Sequence, residues 1–134
     1  MLVSTKGRYA LRVLIDLAEN SKGRYLPMKD VAGRQQISLK YMERIMPALV
    51  NAGLVEGVHG KGGGYRLTRD PASYNVGEIL RLTEGTMAPV HCLDCDSPGC
   101  SRTADCRTLP MWTELDRRIN EYLNQVTLAD LMKN

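Results

Sequence analysis

Apolar residues recur at helical spacing over the first fifty positions and then give way to short alternating runs. From Thr5 to Glu19, Tyr9, Leu11, Val13, Leu14, Leu17 and Ala18 fall on one side of a helix, with Ser4 or Thr5 as its N-cap. Ser21-Lys22-Gly23-Arg24 reads as a loop, and Pro27 suits the entry to a second helix. That helix is short, Met28 to about Gln35, and buries Met28, Val31 and Ala32. Ser38 is a natural N-cap for a third helix running to Ala52, with Gly53 as its stop. Leu39, Met42, Ile45, Met46 and Leu49 form its buried stripe, and Pro47 predicts a kink or break nearby.

The period then shortens. Leu54 to Val58 and Tyr65 to Thr68 read as strands, joined by His59-Gly60-Lys61-Gly62-Gly63-Gly64, a tip able to take positive φ. Asp70-Pro71 ends the hairpin. Asn75 caps a fourth helix from Val76 to Glu84, with Glu78 expected to close a capping box and Gly85 to end the helix. Beyond a cysteine-bearing loop, a long helix from about Leu109 to Asn124 carries Trp112, Leu115, Ile119, Tyr122 and Leu123 on one face, followed by Val126. Thr127 and Asp130 offer a second capping box before a short last helix. No internal repeat or low-complexity segment interrupts the order.

Three helices followed by a two-stranded hairpin is the order of a winged helix-turn-helix. The fold class expected is therefore mainly α with a small β-hairpin wing, plus a long C-terminal helix. Residues 1–85 would be the DNA-binding unit, 86–108 a cysteine loop, and 109–134 the long helix and the short helix after it.

Composition narrows this little and charge narrows it more. At 134 residues the chain is one domain, or one domain with an appendage, and with no Phe and one Trp its core must be Leu, Val, Ile and Met. No apolar run approaches a bilayer's thickness. The first residues lack the hydrophobic stretch of a secretory signal, so a cytoplasmic location is expected. The net charge of +3 conceals an asymmetry: 1–69 hold twelve Lys/Arg against five Asp/Glu, while 70–134 hold six against ten. A basic first half suits a polyanion such as nucleic acid.

The head of the third helix fits that partner. Ser38, Lys40, Tyr41, Glu43 and Arg44 crowd its first two turns, which point at base edges when a recognition helix docks in the major groove. Lys40 and Arg44 can donate to guanine or phosphate, and Glu43 can accept from cytosine N4. A narrow glycine wing lets backbone approach phosphate closely, with Lys61 and His59 entering the minor groove. A nucleotide phosphate loop is excluded, because the Gly-Lys-Ser/Thr order is absent and the loop runs into a strand.

Several motifs together carry a resemblance: Ser4-Thr5-Lys6-Gly7-Arg8-Tyr9-Ala10, Ile37-Ser38-Leu39 followed by Tyr41-Met42-Glu43, Ala52-Gly53-Leu54-Val55 and Gly62-Gly63-Gly64-Tyr65. The chain resembles the IscR/NsrR/CymR-type family of bacterial winged-helix regulators over nearly its whole length. The resemblance implies a homodimer on a pseudo-palindromic double-stranded operator, most often as a repressor, with the long helix crossing its twin. It maps Tyr9, Ser38, Tyr41 and Glu43 onto DNA-contacting positions, and it sets His59 where an arginine enters the minor groove elsewhere in the family. Dimerisation would use Trp112, Leu115, Ile119, Tyr122 and Leu123.

All four cysteines lie in that loop, at Cys92, Cys95, Cys100 and Cys106. In a reducing compartment such a set reads as metal-binding or redox-active rather than as structural disulfides. The resemblance implies that Cys92, Cys100 and Cys106 ligate an iron–sulfur cluster. Its usual fourth ligands are a His where this chain has Leu109, or an acidic residue where it has Arg8. The extra thiol at Cys95 then points to four protein thiolates on a 2Fe–2S or 4Fe–4S cluster, with His91 as a spare candidate. Thiolates suit such clusters, and Pro98-Gly99 permits a sharp turn between ligands. Zinc is the alternative, since Cys92 and Cys95 form a zinc half-site, and a metal-free thiol switch is the third. A fourth is a cysteine-metabolism repressor acting with a partner enzyme. An enzyme is not expected, because His59 and His91 are the only histidines and neither sits in a catalytic motif. Cluster state would reposition the long helix against the winged unit.

Overall fold

The first helix begins where Ser4 accepts a hydrogen bond from the Gly7 N–H on its hydroxyl. The computed structural model describes residues 3–94, 99 and 101–133; Cys95 and Cys100 are among those outside it. In chain order the elements are α1 (Thr5–Asn20), α2 (Met28–Gln35), α3 (Leu39–Asn51), β1 (Val55–Val58), β2 (Gly64–Leu67), α4 (Val76–Glu84), α5 (Leu109–Gln125) and α6 (Leu128–Leu131). Single turns of 3-10 helix lie at Pro71–Ser73 and His91–Leu93. The mainly helical chain with one antiparallel hairpin is the expected fold class.

Ala10, Val13, Leu14 and Leu17 of α1 meet Val31 of α2 and Met42, Ile45, Met46 and Leu49 of α3 in one core. Asp16 lies inside this junction, 1% exposed, and accepts a fork from Arg34 at 3.0 and 2.7 Å and a third bond from Gln35 at 2.9 Å. That pairing supplies the hydrogen bonds a buried carboxylate requires, and it holds the Arg34 guanidinium above its ordinary pKa. Gln36 then takes a left-handed conformation, φ 54°, at the turn between α2 and α3.

Two expectations for α3 are corrected. Leu39 is 46% exposed, because it sits in the first turn, beyond the edge of the core. Pro47 does not break the helix, which runs unbroken from Leu39 to Asn51. The proline is on the exposed face, so the Glu43 carbonyl that loses its N–H partner faces water.

The hairpin pairs Val55 with Leu67, Glu56 with Arg66, Gly57 with Tyr65 and Val58 with Gly64. Leu26 and Tyr65 exchange backbone hydrogen bonds at 2.9 Å each, which ties the wing to the approach to α2. Gly64 makes this possible: its φ is +148°, and a Cβ there would lie 2.0 Å from the Leu26 carbonyl oxygen. At the wing base, the buried Tyr74 hydroxyl donates to the Leu54 carbonyl at 2.6 Å and accepts from Thr68 N–H at 3.0 Å.

Asn75 caps α4 through the Glu78 N–H at 2.7 Å. The expected reciprocal bond from Glu78 is absent, because Arg69 takes that carboxylate at 3.0 and 3.2 Å and a charged donor outcompetes a backbone amide. The capping box at Thr127 and Asp130 forms as expected.

The C-terminal half of α5 is bound to the rest of the chain. Leu123 and Val126 pack on Val76, Leu80 and Met87. Arg81 donates to Asn120 at 3.2 Å and to Asn124. Gly77 leaves room for this clasp, since a Cβ there would lie 2.3 Å from the Asn124 side-chain oxygen. Backbone bonds from Val76 to Val126 (2.8 Å) and from Leu128 to Tyr74 (3.1 Å) close the joint, and Leu128 enters the main core. Among the described residues no helix is long and apolar enough to cross a membrane.

Candidate nucleic-acid interface and cysteine loop

Side chains expected to meet DNA gather where α1 crosses the head of α3. Ser38 accepts from the Tyr41 N–H at 3.1 Å, so its hydroxyl fixes the start of α3 and directs the next two turns outward. Tyr41 meets Tyr9 edge-on, ring centroids 5.3 Å apart. Arg12 stacks over Tyr9 at 5.1 Å and donates through Nε to the Gln35 side chain at 3.3 Å and through Nη2 to the Gln35 carbonyl. These contacts link the end of α2, at Gln35, to Arg12 and Tyr9 of α1 and from there to Tyr41 of α3. Lys40, Glu43 and Arg44 are exposed, and no ion pair among the described residues takes them. Arg12 and Gln35 were not singled out in the sequence; Arg12 sits three residues after Tyr9, one turn along, which is the signal that could have found it.

The wing tip stands apart from this cluster. His59 and Lys61 are both exposed, and no hydrogen bond or ion pair among the described residues joins them to α3. Gly60 and Gly62 take φ of 94° and 79°, which keeps the tip narrow. A cavity of about 160 Å³ lined by Val50, Gly57, Val58, His59 and Tyr65 separates the wing from the end of α3.

A third residue whose role the sequence did not show lies at the N-terminal end of α1. Glu84, the last residue of α4, accepts from the Ser4 N–H at 3.0 Å and from its hydroxyl at 2.7 Å. The first turn of α1 holds no acidic residue of its own, so Glu84 supplies the negative charge that a helix N-terminus favours. The cysteine loop begins directly after it.

Of the four thiols, Cys92 and Cys106 lie within the described residues. Both are half-buried, and neither is in a disulfide. Cys92 is in the 3-10 turn His91–Leu93. Cys106 precedes Thr108, the N-cap of α5, by two residues. Its sulfur lies 3.4 Å from the Thr108 hydroxyl. That hydroxyl, with the Thr108 and Leu109 backbone N–H groups, holds the Cys106 thiol below its ordinary 9.0. Among the described residues no three His, Cys, Asp or Glu side chains converge as a metal site. Arg8 bonds Thr5 at 3.2 Å, and His91 is exposed.

The outer side of α5 is apolar and open. Met111, Leu115 and Tyr122 are exposed, and Trp112 and Ile119 are half-buried. Leu123, grouped with them in the sequence, packs instead inside its own chain, because the Arg81 clasp turns that side of the helix toward α4. A ladder of charges runs beside the stripe: Arg117 bridges Glu114 and Glu121 at 2.5 Å each, and Arg118 reaches Glu114 at 2.9 Å. The two guanidiniums hold the Glu114 carboxyl at about 2, and Glu114 in turn raises Arg117 above its ordinary value.

The Rrf2 family, described as iron-dependent transcriptional regulators, matches residues 3–134. The transcriptional regulator IscR of Escherichia coli is 37% identical over all 134 residues, which span 82% of that protein. CymR, the global cysteine regulator of B. subtilis, superposes with a TM-score of 0.79 at 34% identity, covering 98% of this chain and 95% of that one. IscR of T. potens superposes with a TM-score of 0.75 at 34% identity, covering 98% and 85%. These relatives are regulators and not enzymes, in line with the expectation from the sequence. The chain belongs to the Rrf2 family of winged-helix transcriptional regulators.

Proposed function

We propose that this regulator is a homodimer on a pseudo-palindromic operator, and that an iron–sulfur cluster in the 86–108 loop sets its affinity for DNA. Cys92, Cys95, Cys100 and Cys106 would hold the cluster, and four thiolates serve either a 2Fe–2S or a 4Fe–4S centre. The donor set fits. Cys92 and Cys106 are free, half-buried thiols, and Cys106 is biased toward the thiolate that ligation needs. When bound, the cluster supplies a tie among the loop thiols whose strength follows iron supply and oxidation state. A reducing cytoplasm would keep those thiols available.

What carries this reading is the junction of Cys106 with α5. Holding Cys106 fixes the near end of α5 through Thr108, and releasing it frees that end. The far end stays anchored by Leu123, Val126 and the Arg81 clasp. The helix therefore pivots about its C-terminal half. In a dimer built on the outer stripe of α5, such a pivot changes the separation of the two α3 helices. Half-sites about 34 Å apart tolerate little error in that separation.

At the DNA, Glu43, Arg44 and Lys40 would read base edges or phosphate. Tyr9, Ser38 and Tyr41 set the helix against the backbone, and His59 and Lys61 enter the minor groove. Anaerobic purification followed by iron, sulfide and zinc analysis tests the sensing half. Brown protein with matching iron and sulfide supports it. Colourless protein with one zinc per chain assigns the loop to zinc. Colourless, metal-free protein assigns it to a thiol switch, or to a cysteine-metabolism repressor that works with a partner enzyme.

A further inference from the structure

The outer stripe of α5 has a cation in its middle. Met111, Leu115 and Tyr122 are 54%, 40% and 67% exposed. The position that completes the stripe between Leu115 and Tyr122 is Arg118, whose side chain is 72% exposed. Met111, Leu115, Arg118 and Tyr122 follow one another at steps of four, three and four, the spacing of a helix–helix seam. Arg118 adds little to its own subunit. Its 2.9 Å bond to Glu114 is exposed on both sides, where solvent screens most of the attraction. Glu114 is moreover shared with Arg117 at 2.5 Å, so Arg118 keeps donors to spare.

The geometry points to Glu114 and Arg118 as a self-recognition pair: in the dimer, Arg118 of each subunit meets Glu114 of the other across the two-fold axis. This inference rests on the homodimer reading. A second copy is the occupant that fits, because the stripe is self-complementary. An antiparallel crossing centred between residues 116 and 117 sets Met111 against the partner's Tyr122 and Leu115 against the partner's Arg118, in both directions at once. Glu114 lies one helical turn before Arg118, so each chain brings one cation and one carboxylate to the crossing. Those charges are complementary to the same pair on the other chain. A parallel, in-register pairing sets Arg118 against Arg118 and is penalised. A related regulator that sets a cation against Arg118 or a carboxylate against Glu114 is rejected in the same way.

Charge exchange tests this on the full chain. Glu114→Arg and Arg118→Glu each bring like charges together at the crossing. Each variant is expected to self-associate at least about tenfold more weakly than wild type in sedimentation equilibrium at low salt. Mixed one to one, the two weak variants recover wild-type affinity as a heterodimer, seen by native mass spectrometry. A chain carrying both changes dimerises alone but excludes the wild type. Circular dichroism should be unchanged throughout, since both side chains are on the surface. If the wild type is a dimer and all variants associate equally and mix statistically, the pairing is overturned. A wild type that stays monomeric overturns the homodimer reading, and this inference falls with it.

Discussion

The ring of Tyr9 meets the ring of Tyr41 edge-on, at an interplanar angle of 74°. One side chain belongs to α1 and the other to the head of α3, so the contact sets α3 against α1. Edge-to-face pairs couple by about 0.5–1.5 kcal/mol beyond the area they bury. A double-mutant cycle of Tyr9→Ala and Tyr41→Ala, followed by urea unfolding, is expected to return a coupling in that range. Additive losses would mean that the rings merely lie near each other.

Base reading and backbone holding should separate by position. Glu43 is exposed at the head of α3, and no ion pair among the described residues takes it, so under the proposed docking it accepts from a base edge, whereas Lys61 is on the wing. Glu43→Ala is expected to change which operators bind. Lys61→Ala should weaken all of them alike and lower the salt slope by about 1. Unchanged sequence preference in Glu43→Ala contradicts the docking of α3 in the major groove.

The wing depends on one glycine. Gly64→Ala puts a Cβ 2.0 Å from the Leu26 carbonyl oxygen at a φ of +148°. Backbone strain of this sort costs about 1–3 kcal/mol, and relieving it here means parting Leu26 from Tyr65. Chemical denaturation should show a loss of at least that size. Amide exchange at Leu26 and Tyr65 should accelerate together.

Acid should leave Glu114 ionised long after ordinary carboxylates are neutral. Arg117, then Arg118, hold it at about 2 against an ordinary 4.5. Because the folded value lies below the unfolded one, its pairing is fully present above about 4.5 and is lost as pH falls through about 2. The group is exposed, so solvent screens whatever stability follows. Carboxyl NMR should give a midpoint near 2, moving toward 4.5 in Arg117→Ala. A wild-type midpoint at 4.5 would contradict the ladder.

Helix ends and the hairpin were legible in the sequence because caps are local. Ser4, Ser38, Asn75 and Thr127 each bond an amide three residues on. The misread positions were settled by residues distant in sequence. Arg69 drew Glu78 away from its helix cap, Arg81 turned Leu123 inward, and the exposed setting of Pro47 let α3 pass through it unbroken. Within the site, the head of α3 and the glycine wing were visible as residue types at the right spacing. The Arg12–Gln35 and Glu84–Ser4 bonds were not, since each joins elements with no periodic signature linking them. The thiol pattern was plain, and so was the helix start near Leu109; the side-chain contact between Cys106 and Thr108 that joins them was not.

One comparison tests the sensing account most directly. Operator affinity would be measured anaerobically on a single preparation, first with its iron and sulfide counted and intact, then after both are stripped and the thiols kept reduced. At least one promoter should bind the two forms with affinities about tenfold or more apart, a coupling of at least about 1.4 kcal/mol. Equal affinity of the two forms on every promoter would contradict it, because α5 would then carry nothing from the cysteine loop to the DNA.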